Sequence, residues 1–92
     1  MTQRVYFVAH GGVVQGVGFR YFTRKRAQQY GVTGWCRNTP DNKVEGEAQG
    51  EEGVIGELMK DLDKGPSGAQ VVKLTQEPRE VVPDESSFTV RH

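Results

Sequence analysis

Apolar and polar positions along this chain change period several times, and each change marks an element. Val5 to Ala9, within the run Arg4 to His10, is apolar on both faces, as a central strand is. Four glycines in the eight positions from Gly11 to Gly18 then interrupt it. Beyond them, Phe19, Thr23, Ala27 and Tyr30 fall within about 80° of one another at ~100° per residue. They form the buried stripe of a first helix, Tyr21 to Tyr30, whose Arg24, Lys25, Gln28 and Gln29 face water and whose C′ residue is Gly31. Thr33 to Asn38 reads as a strand carrying Trp35, with Lys43 to Gln49 as its partner. In that partner Val44, Gly46 and Ala48 alternate with Glu45, Glu47 and Gln49, so one face is packed and the other wet. Thr39-Pro40-Asp41-Asn42 supplies the hairpin turn between them. Val54, Leu58 and Leu62 repeat at i, i+4, i+8 beside Ile55 and Met59, giving a second helix that starts at Glu51 and Glu52 and ends at Gly65-Pro66. Ala69 to Glu77 is a fourth strand stopped at Pro78, Val81 to Ser86 a polar loop, and Phe88-Thr89-Val90 a short final strand.

Strand, helix, strand, strand, helix, strand is an α+β order. Right-handed crossovers put strands one and three side by side in the middle of the sheet, with both helices on one face. The expected fold is the ferredoxin-like split βαβ sandwich, βαββαβ plus a short final strand, on a mainly antiparallel sheet. Ninety-two residues make one small domain, residues 1–92, around one modest core.

Charge narrows the partners. Lys plus Arg number 12 and Asp plus Glu 12, so no net basic field draws in nucleic acid or a membrane surface. The basic run Arg24-Lys25-Arg26 reads as a solvated helix face. The lone Cys36 leaves no intramolecular disulfide framework and no cysteine-rich zinc site, which fits a reducing compartment. No apolar run approaches the roughly 20 residues of a membrane span, and Met-Thr-Gln-Arg leads straight into a strand with no signal-peptide core. The expectation is a soluble cytoplasmic protein, monomeric because nothing requires a dimer.

Chemistry concentrates in the glycine stretch, which ends at Arg20 where the first helix begins. A helix start leaves several N–H groups without partners and carries about half a positive charge. Glycines expose further N–H groups, and Arg20 adds a planar charged fork that matches two phosphate oxygens. This describes a cradle for a small doubly charged anion such as a phosphoryl group; a plain glycine turn with a solvated arginine is the competing reading. A Walker loop is excluded, since Val17 stands where its lysine must be, and the dinucleotide fingerprint fails at Tyr21. His10 in a strand and the terminal His92 offer neither a nucleophilic triad nor a two-histidine metal site. Cys36 alternates within a strand and reads as a small packing residue, and Glu45 and Glu47 as a solvated strand face. Asn38, at the end of strand two, can approach the glycine loop at one rim of the sheet. Its amide can aim a water without ionising, although the same residue can simply open the hairpin turn.

At these residues the chain resembles the acylphosphatase family. Gly12-Val13-Val14-Gln15-Gly16-Val17-Gly18-Phe19-Arg20 is similar to its first signature, and Gly34-Trp35-Cys36-Arg37-Asn38, continuing through Val44 to Gly50, to its second. The likeness extends over essentially the whole chain. Val13 stands where the family often has Arg or Thr, and Asn42 where it usually has a hairpin glycine. The resemblance implies hydrolysis of the carboxyl–phosphate bond of small acyl phosphates, releasing inorganic phosphate, with no metal or other cofactor. It implies that Arg20 and the backbone amides of Gln15, Gly16, Val17, Gly18, Phe19 and Arg20 bind the phosphoryl group, and that Asn38 positions the attacking water. The alternative is a non-catalytic anion-binding or regulatory module on the same fold. An RNA-binding version is disfavoured, because strand three is acidic and carries no aromatic residue.

Overall fold

The computed structural model describes residues 1–91. Its elements are β1 (Thr2–His10), α1 (Phe19–Tyr30), β2 (Thr33–Asn38), β3 (Val44–Glu51), α2 (Glu52–Lys64), β4 (Lys73–Arg79) and β5 (Phe88–Val90). The five strands form one sheet in the order β4-β1-β3-β2-β5. All neighbours are antiparallel except β2 and β5, which run parallel with Gly34 opposite Phe88. The βαββαβ sandwich expected from the pattern is therefore present, and β5 occupies the edge beside β2.

The alternation in β1 and β3 decides what the core contains. Phe7 and Ala9 from β1 and Val44 and Ala48 from β3 are fully buried, and they meet Phe19 and Ala27 of α1 and Ile55, Leu58 and Leu62 of α2. Gly46 is glycine because it is crossed: a Cβ there would lie 2.7 Å from the Phe7 ring and 2.2 Å from the Trp35 carbonyl oxygen. Tyr30, at the end of the α1 stripe, is half-buried and donates its hydroxyl to Asp61 of α2 at 2.7 Å, tying the helices together. No helix among the described residues is long and apolar enough to cross a membrane.

Several boundaries differ from those the pattern predicts. α1 starts at Phe19 rather than Tyr21, and β3 runs on to Glu51, so only Glu52 lies in the first turn of α2. β4 begins at Lys73 rather than Ala69. The preceding residues are used by the glycine loop instead: Gln70 N–H donates to the Val13 carbonyl and Val72 N–H to that of His10, each at 2.7 Å. Pro78 does not stop β4 but lies inside it, opposite Val5. β4 is an edge strand, the place in a sheet where proline is accommodated. The face of β3 expected to be wet is partly roofed: residues 80–87 pass over it, and Gln49 is 9% exposed. There Gln49 Nε2 donates to the Val82 carbonyl at 2.9 Å, and Val82 N–H donates to Gln49 Oε1 at 2.7 Å.

Candidate active site

The loop between β1 and α1 is held at three points. Val14 is fully buried, Val13 pairs with Gln70, and Gln15 reaches the hairpin that joins β2 to β3. Between these anchors and the helix, Gly16 (φ 77°) and Gly18 (φ 74°) take the left-handed conformation. A Cβ at either would meet nothing within 4 Å, so glycine is required there by the backbone angle and not by crowding. Gly18 is the N-cap of α1 and supplies no side chain to cap it. The first helical bond runs from Phe22 N–H to the Gly18 carbonyl at 2.9 Å, and at any helix start the amides before that bond have no acceptor within the helix itself.

The glycine loop and the start of α1 border a cavity of about 220 Å³ lined by Val14, Gly16, Gly18, Phe19, Arg20, Tyr21 and Asn38. Asn38 lines it from the end of β2, which is separated from β1 in the sheet by β3. Arg20 is half-buried, and its Nη1 donates to the Arg91 carbonyl at 3.0 Å. Arg91 is itself placed by β5: its N–H donates to the Cys36 carbonyl at 2.8 Å, and its guanidinium lies 4.3 Å from the centre of the Trp35 ring.

The structure thus brings Gly16, Gly18, Phe19, Arg20 and Asn38 to one cavity. Gln15 and Val17 belong to the same loop but do not line it. Val14 and Tyr21 do, and the sequence reading passed over both. Tyr21 is half exposed and outside the helix's buried stripe, so periodicity gives no reason to select it; its place in the first turn, next to Arg20, is the one available signal.

The remaining reactive groups lie elsewhere. Cys36 is buried under α1 with its Sγ 3.6 Å from the Arg20 carbonyl oxygen. Burial pushes its thiol up to about 12 although Arg20 and Arg24 pull the other way, so it stays a neutral packing group. The His10 ring contacts Thr75 Oγ1 at 3.3 Å and does not line the cavity; burial, with Lys43 and Lys73, lowers its pKa. His92 lies outside the described residues. Among the described residues no three His, Cys, Asp or Glu side chains gather as a metal site would need. Of the two departures from the signatures, Asn42 adopts φ 65°, the left-handed turn a glycine would otherwise supply, and Val13 is absent from the cavity wall.

Comparison with known proteins identifies the family. The acylphosphatase family model matches residues 5–90. An acylphosphatase of Yersinia pseudotuberculosis is 45% identical over 91 residues, covering 97% of this chain and 98% of the relative. The solved structure of an acylphosphatase from Coxiella burnetii superposes with a TM-score of 0.90 at 38% identity, covering 98% of this chain and 93% of that one. That of Bacillus subtilis gives 0.88 at 28% identity, with both chains covered in full. By its family match, its near-full-length relatives and its fold, this chain belongs to the acylphosphatase family.

Proposed function

We propose that this hydrolase cleaves small acyl phosphates by direct attack of a water on phosphorus, with Arg20 and the loop amides holding the phosphoryl group and Asn38 aiming the water. The observation that carries this reading is that Arg20, the uncapped start of α1 and Asn38, which come from two separate signatures, wall the same cavity.

The substrate explains why so few groups suffice. The leaving group is a carboxylate whose conjugate acid has a pKa near ~4, so it departs with the bonding electrons and needs no general acid. The water oxygen forms the new P–O bond, the P–O bond to the acyl group breaks, and the water's proton passes to a phosphate oxygen to give inorganic phosphate. Phosphoryl transfer of this kind depends on positioning and on stabilising charge over the three equatorial oxygens. One opposite charge at ~4 Å and an effective dielectric of ~20 contributes about 4 kcal/mol before desolvation. Arg20 is therefore the dominant electrostatic group, provided that its attraction grows in the transition state. The 220 Å³ cavity has room for a phosphoryl group and a water, with the acyl part directed toward Tyr21 at the half-exposed wall.

Hydrolysis of benzoyl phosphate separates this reading from a phosphate-binding module without catalysis. The wild-type chain should turn over while Asn38→Ala loses about a hundredfold in kcat, with the inhibition constant of inorganic phosphate within about twofold of wild type. A collapse of phosphate affinity in Asn38→Ala would remove the water-positioning role, and no turnover by the wild type would leave the binding module.

A further inference from the structure

We infer that the Gln15 side chain is a positioning residue that fixes the phosphate loop against Asn38. This rests on the reading of Asn38 given above. Gln15 Nε2 donates at 2.8 Å to the Thr39 carbonyl and at 2.8 Å to the Lys43 carbonyl. These acceptors flank the turn of the β2–β3 hairpin. Thr39 directly follows Asn38, and Lys43 directly precedes Val44, the residue paired with Asn38.

The turn is already stiff when Gln15 grips it. Thr39 N–H donates to the Lys43 carbonyl at 2.9 Å, and Lys43 N–H to Thr39 Oγ1 at 2.9 Å. Thr39 Oγ1 also donates to Asp41, and Asn42 N–H to the Thr39 carbonyl at 3.3 Å. The loop is the softer partner: Gln15 lies between the fully buried Val14 and the left-handed Gly16, and glycine does little to hold a backbone in place. The clamp therefore transfers the hairpin's rigidity to the segment that faces the phosphoryl group.

Side-chain chemistry restricts what can serve. One nitrogen must present two N–H donors to two carbonyl oxygens, at the reach of two methylenes, without bringing a charge. Glutamine meets all three demands. Ionised glutamate has the same shape but only acceptors, so it would face two carbonyl oxygens with no proton to share. Asparagine falls one methylene short.

Binding and chemistry should separate accordingly. Arg20 and the first amides of α1 hold phosphate whether or not Gln15 is present, whereas the aim of the Asn38-held water at phosphorus depends on the loop-to-hairpin distance. Misplacement on the scale of an ångström is enough to cost rate.

The test is a double-mutant cycle on benzoyl phosphate turnover with wild type, Gln15→Ala, Asn38→Ala and the pair, each checked for folding by circular dichroism. Gln15→Ala is expected to lower kcat about tenfold with the inorganic phosphate inhibition constant within about twofold, and to have less than a twofold effect once Asn38 is alanine. Equal factors in both backgrounds, or a phosphate affinity that falls in step with kcat, would overturn the assignment. Wild-type kcat in Asn38→Ala alone would instead remove the role of Asn38, and this assignment with it. Gln15→Met, which keeps the side chain's length without its donors and without a charge, carries the same cycle and the same criteria should the alanine variant not fold.

Discussion

Two irregular segments pack against this sheet, and a glutamine side chain helps to fasten each, with opposite consequences. Residues 11–18 are held by their own Gln15, which donates to the Thr39 and Lys43 carbonyls of the neighbouring hairpin. Residues 80–87 are held by Gln49 of β3, which binds both the N–H and the carbonyl of Val82. The first arrangement fastens a loop through a side chain and leaves the following helix start uncapped at Gly18. The second consumes the segment's own backbone polar groups. The arginines follow the same division. Arg20 is half-buried at the cavity, whereas Arg4 is 4% exposed, gripped by Glu85 at 2.8 and 3.2 Å and by Glu47 and Gln49. A buried cation enclosed by carboxylates holds structure together; in the proposed mechanism the cation at the cavity wall has a different task, answering a ligand's charge.

The largest effect should come from breaking the loop's half of this comparison. Arg20→Ala is expected to lower kcat/KM about a thousandfold, equivalent to about 4 kcal/mol, while the thermal midpoint moves little. Arg20→Lys should recover only part of it, because an ammonium restores the charge without the planar fork. Steady-state kinetics on benzoyl phosphate reads both variants, and near-normal turnover in the two would remove Arg20 from the mechanism.

Residues 80–87, a strap over β3, answer to the opposite assay. Glu85→Ala takes away two of the bonds to Arg4, whose side chain is 3% exposed, and leaves Glu47 and Gln49 in place. Removing one partner of a buried pair costs about 3–5 kcal/mol when the other charge is left alone; with Glu47 retained, about 2 kcal/mol is expected. Urea unfolding should report that loss with kcat unchanged in the folded protein. A fall in kcat as large as that of Asn38→Ala would mean that strap and loop do not act separately.

These contrasts also mark how far the sequence could be read. Element order was legible because each change of hydrophobic period coincides with a change of element. The loop was legible because Gly16 and Gly18 occupy left-handed positions that few other residues tolerate. Strand edges were less so: nothing local says that β4 has a neighbour on one side only, and on that fact depends whether Pro78 ends the strand or lies within it. The roof over Gln49 was illegible for a similar reason. Gln49 and Val82 are 33 residues apart, and the alternation in β3 records which face is polar, not what later covers it. Gln15 illustrates the point within the site itself. A signature containing glutamine directs attention to its backbone amide, while its side-chain acceptors belong to a hairpin 24 and 28 residues further on.

The smallest expected effect is in acid, and it sharpens the comparison through the strap alone. Burial raises the pKa of Glu85, but hydrogen bonds from Arg4 and Thr33 outweigh it and hold the carboxyl below its usual range. With the folded value depressed, the unfolded chain takes up the proton first as pH falls. The stabilisation is then fully present above the ordinary glutamate pKa of about 4.3 and is lost as pH drops from there through the folded value. Unfolding free energy measured between about pH 5 and pH 2.5 should fall less steeply in Glu85→Gln than in wild type, since glutamine does not titrate. Turnover at neutral pH should be the same in both. Parallel pH slopes would show that the Arg4–Glu85 contact contributes nothing to acid sensitivity. A neutral-pH kcat reduced in Glu85→Gln while its fold is intact would show instead that the strap reaches the cavity, through β5 and the Arg91 carbonyl that receives Arg20.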